Sequence, residues 1–129
     1  MQILFTIFLA LNLLVEALAA VTLITGPGGV SAAGTGNQWS MHYGFAVIAV
    51  ASASLWIWPW RRDYRAVTAV LGVLLVFHGM LFVSLTTAGD QPAGMIIHLV
   101  LATLCLLLFT QRSRWCEKPG GSQAENETT

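Results

Sequence analysis

The chain has 129 residues, of which 56% are hydrophobic and only 9% are charged, and its mean hydropathy is +0.71. Soluble domains average about 25% charged residues, so this composition indicates an integral membrane protein of one domain. The formal net charge of zero argues against a nucleic-acid partner. Two cysteines without a C-x-x-C spacing do not predict a disulfide framework.

Four apolar runs divide the chain, and each is long enough to cross a hydrocarbon core of about 30 Å at about 1.5 Å per residue. The predicted spans cover residues 2–24, 39–60, 66–87 and 92–111. Short connections favour antiparallel neighbours, and small residues within the runs allow close helix approach. The sequence therefore predicts an all-α fold, a transmembrane four-helix up-down-up-down bundle over residues 1–115.

The first run has an alternative interpretation as a signal peptide, because Ala17-Leu18-Ala19 resembles a cleavage site. Two features favour an uncleaved span instead. No basic residue precedes the run, and Glu16 stands directly before the candidate site.

The positions of the Lys and Arg residues predict how the chain is oriented in the membrane. All six Lys and Arg residues fall within 61–65 and 112–118. With four spans these two segments lie on the same side, so the positive-inside rule predicts that both termini are cytoplasmic. A bacterial-type inner membrane is the expected location. Residues 116–129 are rich in Gly, Ser, Glu and Thr, which predicts a disordered cytoplasmic tail.

Glu16 is the only ionisable side chain in the first run. A charge at membrane depth costs roughly 2.5–3.5 kcal/mol, so this residue is expected to face a partner inside the bundle. His42, His78 and His98 lie one on each of the other runs. At about 1.5 Å per residue, Glu16, His78 and His98 lie within about 5 Å of the bilayer centre, whereas His42 lies about 12 Å away. The sequence therefore predicts that Glu16 lies within direct or one-water reach of His78 or His98.

These residues form the candidate ligand-binding or proton site. Asn12, one turn before Glu16 on the same run, is expected to support Glu16 by interhelical hydrogen bonding, and His42 is either an interfacial residue or the mouth of a pocket. Interhelical packing alone is the alternative role for each of them. Because imidazole and carboxylate suit zinc or iron, Glu16, His78 and His98 could also hold a divalent metal.

Three functions remain open from the sequence. The favoured one is a non-catalytic accessory, assembly or lipid-like ligand-binding protein, whose partners are the lipid bilayer and a membrane protein or a second copy of the chain. The second is a redox protein in which His78 and His98 are axial ligands of haem b. The third is a lipid-modifying enzyme or proton-coupled carrier that uses Glu16 as its acid or base.

The span pattern over residues 1–115, with an ionisable residue in the first span, resembles the small four-span DoxX-like membrane proteins. The resemblance implies a membrane bundle of this length with short loops and cytoplasmic ends. It carries over no functional residue.

Overall fold

The structure, a computed structural model, describes residues 1–117. Its helices are α1 (Gln2–Thr25), α2 (Trp39–Ala51), α3 (Ala53–Trp56), α4 (Tyr64–Ala88) and α5 (Pro92–Gln111). Short 3-10 turns lie at Val30–Ala32, Trp58–Trp60 and Arg112–Arg114. Within the described residues, one isolated β-bridge between Asp63 and Glu117 is the only extended pairing. The predicted all-α class is therefore confirmed.

Helices α1, α4 and α5 are each long and apolar enough to cross a membrane, and they are the only such helices among the described residues. Their outward faces carry large exposed apolar side chains, which a protein in water would bury. Examples are Ile3, Leu18, Val76, Met80 and Val100. These features are compatible with a membrane protein.

The second predicted span, residues 39–60, is not one continuous helix in the structure. Helix α2 ends at Ala51, α3 occupies four residues, and a 3-10 turn follows. The interruption at Ser52 is slight, because this residue keeps helical backbone angles (φ −59°, ψ −21°) and its N–H donates to the Ile48 carbonyl at 2.9 Å. Pro59 has no N–H to continue the helical hydrogen bonds, which explains the change to a 3-10 turn at Trp58–Trp60.

Each helical segment buries a narrow stripe of residues that are three or four positions apart. This spacing places them on one face of an α-helix. Polar residues occupy positions in these stripes, so they lie inside the protein and not on its exposed faces. The stripes consist of Phe5, Leu9, Asn12, Glu16 and Ala20 in α1; Gly44, Val47, Ala51 and Ser54 in α2–α3; Val67, Leu71, Leu74 and His78 in α4; and Leu101, Cys105 and Leu108 in α5.

Residues Ile7–Trp56 form one compact unit, in which α1 and the α2–α3 segment are antiparallel. Near one end, the hydroxyl of Ser40 donates to the carbonyl of Leu23 at 3.0 Å. Towards the other end, Asn12 Nδ2 donates to Ser54 Oγ, also at 3.0 Å. These two contacts show that the second helical segment runs back along most of α1.

Met1–Thr6 and the chain from Ile57 onward form the second compact unit, which is built on the α4–α5 hairpin. Asp63 caps the start of α4 by accepting a hydrogen bond from the Ala66 N–H at 2.7 Å. Gly89 ends α4 in the left-handed conformation, with φ of 72°, and Pro92 is the first residue of α5. A short turn therefore connects α4 to α5.

Hydrogen bonds and a cation–π contact stabilise the α4–α5 hairpin at its basic end. Arg112 Nε donates to Thr68 Oγ1 at 2.8 Å, and its guanidinium lies 5.2 Å from the ring centre of Tyr64. The Glu117 N–H donates to the Arg62 carbonyl at 2.8 Å, and the Tyr64 N–H donates to the Glu117 carbonyl at 3.2 Å. Residue 117 of the predicted tail is thus held by hydrogen bonds; residues 118–129 lie outside the described residues.

Candidate functional site

The structure brings together two of the predicted site residues, His78 and His98. The side chain of His78 is fully buried on α4, and that of His98 is half-buried on α5. Their Nδ1 atoms lie 3.1 Å apart, and the two rings meet edge to edge through these nitrogens, with centroids 5.4 Å apart and an interplanar angle of 29°. The antiparallel hairpin positions them, because His78 follows the midpoint of α4 and His98 precedes that of α5.

The distance of 3.1 Å between the two Nδ1 atoms is that of a hydrogen bond. A hydrogen bond requires one donor and one acceptor, so one neutral ring carries its proton on Nδ1 while the other presents a lone pair there. The pair can therefore share a proton between α4 and α5. Such a bond also holds two antiparallel helices in register at membrane depth.

Phe77 encloses the imidazole pair on one side. Its ring centroid lies 5.2 Å from that of His78 and 6.4 Å from that of His98, with interplanar angles of 65° and 90°. These edge-to-face contacts orient both imidazoles and present an apolar surface beside them. The buried Leu74, one turn earlier on α4, extends the apolar surroundings.

Glu16 lies in the middle of α1 with only 1% of its surface exposed. The carboxyl group therefore lies inside the protein, and its position at membrane depth remains a prediction. Asn12, one turn earlier on the same stripe, is also fully buried. The grouping of Glu16 with His78 and His98 remains a prediction from the sequence.

Asn12 Nδ2 donates a hydrogen bond to Ser54 Oγ on α3 at 3.0 Å. The link between Asn12 and Glu16 remains a prediction from the sequence. His42 is an exposed residue in the first turns of α2. Its ring meets that of Trp39 edge-on, with centroids 6.3 Å apart. This aromatic contact fits the interfacial role of His42 that the sequence also allows.

The sequence argument missed two residues of this region, Ser54 and Phe77. Ser54 lies on the same buried face as Val47 and Ala51, but the sequence alone does not show which face of this segment meets α1. Phe77 carried no separate signal, since it is one of many apolar residues in its run and only the pairing of α4 with α5 brings it against both imidazoles.

The arrangement of the two histidines does not fit axial ligation of one haem. Axial ligands bind opposite faces of the iron, so their nitrogens lie about 4 Å apart with the macrocycle between the rings. Here the Nδ1 atoms are 3.1 Å apart and the two rings meet directly through them, with no space for a macrocycle between the rings. The pair instead suits a shared proton, or ligation of one small ion from the same side.

A separate cavity of about 380 Å³ lies at the basic end of the second unit. It is lined by Pro59, Trp60, Arg61, Arg62, Asp63 and Glu117. Two cations and two anions line it, and Arg62 and Glu117 form an exposed pair at 4.0 Å. Because the two positive and two negative charges balance, the cavity favours neither an anionic nor a cationic ligand.

No protein-family model, curated protein or solved structure matches the chain.

Proposed function

We propose that this chain is a small integral membrane protein whose intramembrane polar site, consisting of Glu16 and the His78–His98 pair, binds a lipid-like ligand in a non-catalytic role. The observation that carries the proposal is the hydrogen-bonded imidazole pair at 3.1 Å, between two helices that are otherwise apolar at this depth. Ionisable groups at membrane depth are costly and mark sites of binding or proton transfer.

The helix positions support the inclusion of Glu16. At about 1.5 Å per residue, Glu16, His78 and His98 each lie within about 5 Å of the midpoint of their own helix. The burial of the Glu16 side chain adds to this argument. A carboxyl group and two imidazoles offer both donors and acceptors to the polar end of a lipid-like molecule.

The proposed setting is a four-span bundle with both termini cytoplasmic, in a bacterial-type inner membrane. The antiparallel course of α2–α3 along α1 supports a second crossing despite the interruption at Ser52. The buried stripes, each on one face of its helix, support the packing of neighbouring helices. The membership suggested by the DoxX-like span pattern remains a prediction.

Native mass spectrometry of the full chain, extracted from membranes in lipid nanodiscs, tests the proposal. We expect an adduct of lipid-like mass on the wild-type protein that is lost in Glu16→Gln and in His78→Gln. Ser84→Ala, which changes an exposed polar residue on the same helix as His78, is the matched control and should retain the adduct. Absence of any adduct, or equal adducts on all four proteins, would overturn the ligand-binding role.

A further inference from the structure

The two imidazoles present the same ring nitrogen to each other from neighbouring helices. The Nδ1 atoms of His78 and His98 lie 3.1 Å apart, and Phe77 holds both rings edge-to-face. Both nitrogens are therefore aimed at one small volume between α4 and α5. In one state of the pair, the two nitrogens share a proton at this position. In the alternative state, a metal ion binds to both nitrogens.

We propose that His78 and His98 coordinate one divalent transition-metal ion of the zinc class through their Nδ1 atoms. Zinc–nitrogen bonds of about 2.0–2.1 Å at a tetrahedral angle separate two ligand nitrogens by about 3.3 Å. The observed separation of 3.1 Å differs from this by only a few tenths of an ångström. To admit the ion, each ring must turn so that its Nδ1 lone pair, which is directed at the other nitrogen, points to a shared position between the two helices.

Metal binding requires a lone pair on both Nδ1 atoms. The ring that carries its proton on Nδ1 becomes a ligand when that proton moves to Nε2 of the same ring. The other ring already presents its lone pair, so no proton leaves the protein and both imidazoles stay neutral. The ion then replaces the hydrogen bond between the two rings with two coordinate bonds.

The donor type selects the metal. Imidazole suits zinc, copper, nickel and iron, whereas calcium and magnesium prefer oxygen ligands. A divalent charge at membrane depth also needs an anion close by. This inference rests on the proposed function for that anion, because the proposed polar site includes the carboxyl group of Glu16.

Cobalt(II) binding to the full chain tests the metal site directly. The protein is purified in detergent with a tag that contains no histidine, stripped with a chelator and titrated with cobalt, whose visible absorption is intense in tetrahedral sites. We expect saturation at one cobalt per chain and displacement of cobalt by zinc. His78→Gln and His98→Gln should each weaken cobalt binding by at least about 10–100-fold. Loss of a residue that only hydrogen-bonds to a metal ligand already has an effect of this size.

His42→Gln is the matched control, because it removes the third histidine of the chain, which is exposed on α2. It should bind cobalt as the wild-type protein does. Binding that survives in both His78→Gln and His98→Gln, or a wild-type protein that fails to saturate with cobalt, would overturn the metal site. Circular dichroism of each variant verifies that the helices are retained.

Detection of the lipid adduct shows whether the metal site and the proposed ligand-binding function fail separately. Native mass spectra are recorded for the stripped protein and for the zinc-loaded protein. A lipid adduct without stoichiometric zinc would overturn the metal site and leave the proposed function standing. Stoichiometric zinc without a lipid adduct would overturn the proposed ligand and leave the metal site standing.

Discussion

The ring of Phe5, in the first turns of α1, packs against that of Trp115, just beyond α5, with centroids 5.0 Å apart. Phe5 is fully buried. Trp115 follows Arg112 and Arg114, so the start of the first helix lies at the basic end of the α4–α5 hairpin. This contact favours an even number of membrane crossings between the two residues, as the four-span interpretation requires.

Both termini are therefore expected on the cytoplasmic side, because the cations of the second connection and of the α5 flank meet at this same end. A reporter that is active only in the periplasm, fused after Lys118, should show background activity. The same reporter fused after Asp90, in the turn between α4 and α5, should be strongly active. High activity after Lys118 and background activity after Asp90 would reverse the orientation.

Gly44 should be intolerant of any side chain. A Cβ added there would lie 2.6 Å from Ile24 Cγ1 and 3.1 Å from the Ala20 carbonyl oxygen, and the backbone oxygen has little freedom to move. We expect Gly44→Ala to destabilise the protein by about 1–3 kcal/mol through overpacking. Thermal unfolding in detergent measures the change.

Gly79→Ala is the matched control, because an added Cβ at this helical glycine of α4 meets nothing within 4 Å. It should be neutral, or stabilising by up to about 1 kcal/mol through helix propensity. Equal unfolding temperatures for Gly44→Ala and Gly79→Ala would show that α1 and α2 do not pack as closely as described.

Asn12 and Ser54 should be energetically coupled through their buried hydrogen bond of 3.0 Å. A double-mutant cycle with Asn12→Ala and Ser54→Ala should give a coupling of about 0.6 kcal/mol, with an upper bound near 1.7 kcal/mol. The same cycle with Ser84→Ala, on another helix and exposed, should be additive. A coupling indistinguishable from zero for Asn12 and Ser54 would contradict the antiparallel packing of α1 with α3.

The Cys116 thiol should react slowly with alkylating reagents near neutral pH. Burial raises the pKa of Cys116 to about 11, and the negative charges of Asp63 and Glu117 add to the increase while Arg112 opposes it. A raised pKa keeps the neutral thiol dominant, so the thiolate fraction should rise about tenfold per pH unit from pH 8 to pH 10. A Cys105→Ala background isolates this thiol, and the rate of maleimide labelling measures it.

Glu117→Gln removes one of the charges that raise the pKa of Cys116, so its labelling profile should shift to lower pH. Asp90→Asn, at the other end of the hairpin, should leave the profile unchanged. A labelling rate that levels off near pH 9 in the parent protein would show that the thiol is not buried as described.

Much of this fold follows from hydropathy and local signals alone. The first, third and fourth runs were predicted at 2–24, 66–87 and 92–111, and the helices are Gln2–Thr25, Tyr64–Ala88 and Pro92–Gln111. Long apolar runs with turn residues at both ends leave little freedom to any other structure. The second run was harder, because Ser52 and Pro59 interrupt it without changing its hydropathy.

The site was predictable only in part. The cost of ionisable groups in hydrocarbon singles out Glu16, His78 and His98. Counting residues from the midpoint of each predicted span gives the three side chains similar depths. Counting does not fix how a helix is rotated, so the direct Nδ1–Nδ1 contact between His78 and His98 could not be derived. The same ambiguity hid Ser54, whose role depends on which face of its helix meets Asn12.

The sequence also predicts that Glu16 shares a site with His98, and a double-mutant cycle tests it. Glu16→Gln should fold, since the amide keeps the shape and hydrogen-bonding capacity of a protonated carboxyl group. Residues in one hydrogen-bonding network show couplings of about 0.5–3 kcal/mol, whereas residues more than about 7–10 Å apart are additive within about 0.5 kcal/mol. Glu16→Gln combined with His98→Gln should therefore be coupled, and Glu16→Gln combined with the exposed His42→Gln should be additive. Additivity in both cycles would separate Glu16 from the imidazole pair and restrict the proposed site to His78 and His98.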